Sequence, residues 1–460
     1  MKAIRADLLD FTGTPDWGPP TLQHVRWRPD HWLLIGDDGR IAGARPGDQR
    51  PEPGWQLDDQ RGRLLMPGFI DTHVHSPQLD VIASFGTELL DWLARYTFPS
   101  ERAHADPAVA AAGAAQFLDA LLAHGTTSAV VFPTVHAVSV DALFSAAQAR
   151  GMRLIAGKVL MDRHAPDGLL DDPADVAQAE RDCVDLIQRW HGRGRCSYAV
   201  TVRFAPTSTP AQLAMAGALC KADPTLYLQT HVAENEAEVR WVGQLFPDAR
   251  SYLDVYDRQG LLHPRSVLAH GIWLDADDRA RLHDCGAQIA FCPSSNLFLG
   301  SGLFDWDAAR ASGVAVSVAT DVGGGTSLSM QRTLADGYKV QALRGTRLNA
   351  FSALHAATLG AARSLGLAHE IGHLGTGALA DVVLWDWARG PVAERRDAVA
   401  RGDVPGLSAQ DLHTRLFAWM MLSDERNRVA AWVAGEPVGT GTAVARAGTP
   451  LLTPPPAGRC

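Results

Sequence analysis

The feature that most constrains the fold is a regular alternation of strand-like and helix-like segments through the middle of the chain. Eight such strands, separated by helical stretches over roughly 250–300 residues, match the count and size of a (β/α)8 barrel. The segments are FIDTHVH (69–75), GTTSAVVF (125–132), RLIAGKVLM (153–161), SYAVTVRF (197–204), TLYLQTH (225–231), SVLAH (266–270), AQIAFC (287–292) and VAVSVATD (314–321). A doubly wound open sheet is the alternative, but no G-x-G-x-x-G motif follows the first segment.

Both ends of the chain have a different pattern, that of short strands joined by tight turns. WLLIGDDGRIAGA predicts a hairpin around Asp37-Asp38-Gly39, and RVAAWVAGEPV predicts a turn near Gly435. We therefore expect residues 1–66 and 372–460 to pair into a small β-sandwich domain beside a barrel formed by residues 67–371. The final segment, TPPPAGRC, is expected to be extended and mobile.

Composition excludes several classes of protein. The formal net charge of -9 argues against a nucleic-acid or anionic-membrane partner. No apolar run approaches the ~18 residues of a membrane span, and MKAIRADLLDFTG lacks the apolar region of a signal peptide. The six cysteines are scattered, without a C-x-x-C pair. A soluble cytoplasmic protein with free thiols is the expectation.

Polar residues cluster at the ends of the predicted barrel strands. Side chains at i and i+2 of a strand share a face, so His73 and His75 should project side by side. Strand ends meet at one rim of a (β/α)8 barrel, where active sites are built. The other strand-end residues are Arg203, His231, His270 and Asp321. Their joint placement indicates a functional site rather than separate structural roles.

This set of residues favours a catalytic metal. His73, His75, His231 and Asp321 supply three imidazoles and a carboxylate, and catalytic metals need three or four such ligands and an open position. A bound metal lowers the pKa of its water, which becomes a nucleophile near neutral pH.

Further residues of the rim fit acid–base roles. Glu234 can reach the same mouth as a proton shuttle, and His270 can polarise a developing oxyanion or orient the water. The fourth strand contains no lysine, so a two-metal site with a carbamylated lysine is not supported. Lys158 lies in the third strand and is interpreted as structural.

Longer stretches, spread over nearly the whole chain, carry a resemblance to a known family. The most specific stretches are LLDWLARYTFPSE and VRFAPTS. The others are PGFIDTHVH, HSPQL, GKVLMDRHAPDGL, THVAENEAEV, CPSSNLFLGSGLF, ATDVGGGTSLSM and EIGHLGTGALADVVLWD. In these stretches the chain resembles the guanine deaminases of the amidohydrolase superfamily.

This resemblance implies one zinc ion per chain, hydrolysis of guanine to xanthine and ammonia, and a homodimer. The implied zinc ligands are His73, His75, His231 and Asp321, and the implied proton carriers are Glu234 and Asp321, with His270 beside the metal. The implied purine-binding residues are Gln78, Arg203 and Phe204. Their chemistry agrees, because an amide and a guanidinium can address a carbonyl and ring nitrogens, while a phenyl ring packs on the base.

Two departures and two alternatives stand beside the resemblance. His164 occupies a position where asparagine is expected, and Gly271 follows His270 where cysteine is common. The chain also lacks the P-C-x-x-C element of deaminases that act on nucleic acid, so a free base is the expected substrate. One alternative is a relative acting on another aminated ring, such as 8-oxoguanine or an s-triazine. The other is a non-catalytic scaffold, which predicts lost ligands, yet every position is filled.

Overall fold

The computed structural model describes residues 1–85, 92–401 and 407–439. Eight parallel strands follow one another around the barrel: Phe69–His75, Thr126–Phe132, Arg153–Ala156, Cys196–Val202, Tyr227–Val232, Ser266–His270, Gln288–Phe291 and Ala315–Val318. The segment after the last strand bonds back to the first, because the Asp321 N–H donates to the His73 carbonyl at 2.9 Å and the His75 N–H to the Val322 carbonyl at 2.8 Å. The predicted barrel is confirmed.

The third predicted strand is interrupted rather than continuous. After Arg153–Ala156 a second piece, Val159–Leu160, pairs separately with the fourth strand. At the break, a Cβ atom on Gly157 would collide with the carbonyl oxygen of Ala199, so only glycine fits this approach. The adjacent Lys158 is buried and pairs with Asp171.

Helices surround the barrel, and their starts follow from local sequence. Asp106 caps the first long helix, Pro107–Ala123, by accepting from the Ala108 N–H at 2.7 Å. The other α-helices are Phe98–Ala103, Ala137–Ala149, Val176–Trp190, Pro210–Ala222, Glu236–Leu245, Tyr252–Asp257, Ala276–Cys285, Pro293–Phe298, Trp306–Ala311, Met330–Leu343, Ala350–Ala356, Leu359–Ser364, Pro391–Arg401 and Ala409–Leu422. Shorter helical turns span Ser76–Val81, Leu93–Thr97, Ala205–Thr207 and Glu425–Asn427. Among the helices described, none has the length and apolar character needed to cross a membrane.

The two ends of the chain pair with each other, as expected, and they form one seven-stranded mixed sheet. Its strand order is Glu436–Val438, Arg428–Val433, Val382–Trp385, Gln56–Pro67, Lys2–Phe11, Val25–Ile35 and Ile41–Pro46. Both predicted hairpins are present, and Gly39 has the positive φ of 74° that its turn requires. An apolar cluster on this sheet includes Ile4, Leu33, Leu65 and Trp432. The C-terminal TPPPAGRC segment lies outside the described residues.

An ion pair between a partly buried arginine and a buried aspartate joins the barrel to the sheet, and its loss should destabilise the protein. Arg195 donates through Nη1 to Asp381 Oδ1 at 3.0 Å, and the Asp381 side chain is only 2% exposed. Arg195→Met would leave that carboxylate buried without its cation, which typically costs about 3–5 kcal/mol. We expect a much lower urea midpoint, whereas Arg181→Met, at an arginine that is 57% exposed, should leave it nearly unchanged. Equal midpoints for the two variants would contradict this prediction.

Candidate active site

Three of the predicted metal ligands converge with a fourth at the barrel rim. The Nε2 atom of His75 lies 3.2 Å from Nε2 of His73 and 3.3 Å from Nε2 of His231. Asp321 Oδ1 lies 3.1 Å from His73 Nε2 and 3.2 Å from His75 Nε2. The two strand histidines therefore share a face, as their spacing predicts.

His270 lies close enough to the other ligand atoms to contact a metal directly. One ligand atom from each of His73, His231, His270 and Asp321 falls within 4.8 Å of all the others. His270 Nε2 is 3.7 Å from Asp321 Oδ2 and has no hydrogen-bond partner within the described part of the chain. Five side chains, with His75, are thus available around one point.

The tautomers of two histidines leave their Nε2 lone pairs facing this point. His231 Nδ1 lies 2.6 Å from the Arg203 carbonyl oxygen, which can only accept, so Nδ1 carries the proton. His270 Nδ1 lies 2.9 Å from Asn296 Oδ1 and donates to it in the same way. A second hydrogen bond of this kind is usual for metal-bound histidines, because it orients the ring.

The geometry fits a zinc ion. Burial lowers the pKa of His75 to about 3 and also holds that of His231 below its ordinary value, so both are neutral, as ligands must be. Neutral imidazoles can turn their Nε2 lone pairs toward a cation that lies between them, as the hydrogen bond at His231 Nδ1 allows for that ring. Zinc–nitrogen bonds of ~2.0–2.1 Å in a tetrahedral site place the ligand atoms roughly 3.3 Å apart. The observed spacings of 3.1–3.3 Å agree with this value.

Asp321 is held as a carboxylate in a constrained backbone. Burial alone would raise its pKa, but the neighbouring His73, His75 and His270 hold that pKa well below the ordinary value. Asp321 has φ of 50° and His270 has φ of 70°, a left-handed conformation that costs non-glycine residues energy. Such backbone strain concentrates at functional sites, where the surrounding structure enforces it.

Glu234 has the opposite character and remains protonated near neutral pH. Burial, reinforced by the charge of Asp321, raises its pKa to about 8. Ser301 Oγ donates to its Oε1 at 3.0 Å, and Oε2 lies 3.4 Å from His270 Nε2. A protonated carboxyl group beside an ionised one is the arrangement that separates an acid from a base.

The predicted purine-binding residues line the same pocket as the ligand cluster. Gln78, Arg203 and Phe204 are all buried, and they surround a space that also borders His231 and Asp321. The structure therefore brings together every site residue named from the sequence.

Comparison with known proteins identifies the family. The model of the amidohydrolase family matches residues 64–438. The chain belongs to the amidohydrolase family. It is 42% identical to guanine deaminase of Escherichia coli over 95% of this chain and 97% of that protein, and 40% identical to a probable guanine deaminase of Deinococcus radiodurans over 85% and 89%.

Two solved structures of guanine deaminases agree with this chain in fold. The E. coli guanine deaminase structure superposes with a TM-score of 0.89 and covers 95% of this chain and 99% of that one. Guanine deaminase from Bradyrhizobium japonicum, 33% identical, superposes with a TM-score of 0.90 and covers 95% of this chain and 98% of that one. The similarity therefore spans both the barrel and the small sheet.

Sequence reasoning missed several residues of this amidohydrolase pocket. Trp92, Leu93 and Leu299 supply apolar walls, and Glu101 lies behind Gln78 and Arg203. The signal was present, because the first two and Glu101 fall in LLDWLARYTFPSE, and Leu299 falls in CPSSNLFLGSGLF. Which side chains of these stretches face the pocket could not be read from the letters.

The structure explains the departure at His164. This residue has φ of 52°, a left-handed conformation that asparagine tolerates better than most residues. His164 instead holds it with a ring that contacts the Pro206 carbonyl oxygen at 2.8 Å and packs 5.2 Å from the Trp241 ring. Gly271 has φ of 61°, which suits glycine.

Proposed function

We propose that this chain is a zinc-dependent guanine deaminase that converts guanine and water to xanthine and ammonia. One observation carries the proposal: a metal-ligand cluster and a set of buried hydrogen-bond donors border the same pocket. The 42% identity to the E. coli guanine deaminase over nearly the full length of both chains supports the same substrate.

The zinc ion would be held by His73, His75, His231 and Asp321, with His270 beside it. When bound, zinc supplies a water of lowered pKa and so a nucleophile near neutral pH. The residues of the chain then provide the proton transfers and the orientation of the base.

Two carboxyl groups divide the proton transfers. Asp321, an ionised base, accepts a proton from the attacking water as the new C2–O bond forms. Glu234 donates its proton to the ring nitrogen beside C2, which receives the electron pair displaced by the attack. Asp321 then passes its proton to the exocyclic amine, and the C2–N bond breaks as the C2 hydroxyl becomes a carbonyl and returns its proton to Glu234, so ammonia leaves. Guanine and one water are thereby converted to xanthine and ammonia.

Three side chains orient the purine. Arg203 is a permanent donor and pairs with the C6 carbonyl oxygen, to which the Gln78 amide N–H can also donate. Phe204 packs against the plane of the base. This arrangement presents C2, rather than C6, to the metal.

The direct test follows ultraviolet absorbance with purified protein whose metal content has been measured. Guanine loss should match xanthine formation and ammonia release. A panel with 8-oxoguanine, pterins and s-triazines separates guanine deamination from the activities of relatives. If the zinc-loaded protein acts faster on another ring than on guanine, the substrate assignment is wrong. If the protein holds no metal and hydrolyses none of these compounds, a non-catalytic scaffold is favoured.

Replacing Glu234 with glutamine should slow catalysis without removing zinc. The amide keeps the shape of the side chain but cannot cycle a proton, and general acid–base catalysis is typically worth ~10²–10⁴-fold. We expect kcat to fall by about that factor, measured under saturating guanine. Glu236→Gln is the matched control, because that carboxylate lies two residues away and its side chain is 58% exposed. Near-normal kcat in Glu234→Gln would assign the proton transfer elsewhere.

The remaining assignments complete this proposal. We place the domain boundaries at residues 66–67 and 371–372, and the protein in the cytoplasm as a homodimer. Light scattering should then give a mass of about twice the 49.3 kDa of one chain. A monomer at all concentrations tested would contradict the dimer without touching the chemistry.

A further inference from the structure

We propose that Glu101, which does not border the pocket, is a positioning residue. It leaves only N–H donors of Arg203 and Gln78 facing the C6 position of the purine. It does so by accepting hydrogen bonds from both Arg203 and Gln78. The inference rests on the proposed function, since it explains how that pocket recognises the C6 position of guanine.

Both carboxylate oxygens of the buried Glu101 accept hydrogen bonds from side chains of the purine subsite. Its side chain is 0% exposed and comes from the short helix Phe98–Ala103. Arg203 Nη1 donates to its Oε1 at 2.6 Å and to its Oε2 at 2.8 Å. Arg203 is itself only 4% exposed, so the carboxylate compensates a buried positive charge. With Nη1 occupied, Nε and Nη2 are the donors that remain for a ligand.

Glu101 also fixes the orientation of the Gln78 amide. Gln78 Nε2 donates to Glu101 Oε1 at 3.0 Å, while Gln78 Oε1 accepts from the Gly323 N–H at 3.2 Å. A flipped amide would place its oxygen against the carboxylate and its NH2 group against the Gly323 N–H, so only one orientation satisfies both partners. The second N–H of Gln78 Nε2 is left as a donor.

The donors of Arg203 and Gln78 determine which purine fits. A carbonyl oxygen at C6, as in guanine, can accept from both side chains. An amine at C6 would set N–H against N–H in a buried site, and such mismatches are worth ~10⁴–10⁵-fold in specificity. The probe for this feature is 2,6-diaminopurine, which keeps the scissile amine at C2 and replaces the C6 carbonyl with an amine, so that N1 also loses its hydrogen.

Glu101→Gln is the first test. The substituted amide leaves Arg203 without its counter-charge and lets the Gln78 amide turn, so both the charge and the polarity of the subsite change. We expect kcat/KM for guanine to fall by ~10²-fold, since unpaired buried groups are costly, with KM rising more than kcat falls. The ratio of kcat/KM for guanine to kcat/KM for 2,6-diaminopurine should fall at least tenfold, and the zinc content should not change.

A merely structural role would lower activity on both substrates alike, so an unchanged ratio overturns the inference. Glu370→Gln is the matched control, because Glu370 pairs with Arg153 at a part-buried site away from the pocket and its loss should leave the ratio intact. A wild-type protein inactive on guanine would refute the proposed function, an outcome distinct from an active enzyme with an unaltered ratio.

A double variant keeps the test decisive if Glu101→Gln is unstable. Glu101→Gln with Arg203→Met removes both charges, and neutral replacement of a buried pair is often tolerated when removal of one partner is not. We expect the double variant to have a higher urea midpoint than Glu101→Gln and no preference for a C6 carbonyl. A double variant that retained the wild-type preference would show that this pair does not set it.

Discussion

His75→Ala is expected to lose both bound zinc and deaminase activity while the barrel stays folded. The Nε2 atom of His75 lies within 3.3 Å of three other ligand atoms, so its removal opens the cluster on one side. Its backbone N–H bonds to the Val322 carbonyl, and that contact survives the substitution. By elemental analysis, the zinc content should fall from about one ion per chain in the wild type to none in the variant. The circular dichroism spectrum should be unchanged.

The control for this experiment is His124→Ala. His124 lies at the end of the helix Pro107–Ala123, and its ring bonds to the Ala120 carbonyl oxygen at 2.7 Å. It precedes the strand Thr126–Phe132 and so lies at the amino ends of the barrel strands, opposite the cluster. This variant should keep zinc and activity. A fully active, metal-free wild-type protein, or a His75→Ala protein with normal zinc, would refute the ligand assignment.

Patterns that depend on neighbouring residues could be predicted from the sequence. FIDTHVH and SVLAH become strands with the predicted bounds, and Asp106-Pro107 starts its helix as expected. These outcomes follow from alternation, capping and turn chemistry, which act over a few residues. The third strand was predicted as one piece, because its break depends on the approach of Ala199 from another strand.

The composition of the site could be predicted further than its geometry. Strand-end position alone brought His73, His75, His231, His270 and Asp321 to one rim, since barrel topology gathers them there. The strand before Asp321 ends at Val318, however, and the Asp321 side chain is aimed by the bond from its N–H to the His73 carbonyl. Such a contact joins distant parts of the chain and leaves no local pattern.

Glu101 shows the same limit from another direction. It lies in a stretch that carries the family resemblance, yet its partner Arg203 is 102 positions away in the sequence. From the sequence, a glutamate on a short helix is expected to be exposed, because glutamate is rarely buried without a partner. Only the fold reveals that a cation is available to it.

The last prediction concerns discrimination between purines. Wild-type protein should deaminate guanine with a kcat/KM ~10⁴–10⁵-fold higher than for adenine, because adenine leaves the buried donors unpaired. Arg203→Leu should lower kcat/KM for guanine by ~10²-fold or more, as expected for loss of a charged hydrogen bond. Zinc content should not change, since the Arg203 side chain bonds to Glu101, and the Arg203 backbone carbonyl that orients His231 is kept in the variant.

The matched control is Arg163→Leu, because Arg163 packs over the Phe246 ring at 5.0 Å and does not border the pocket. It removes an equal charge from the same face of the barrel and should leave guanine kinetics almost unaltered. Comparable rates on guanine and adenine, or equal guanine kinetics in both arginine variants, would mean that Arg203 does not recognise the C6 carbonyl. The specificity would then have to come from other residues of the pocket, such as Gln78, Trp92 and Leu299.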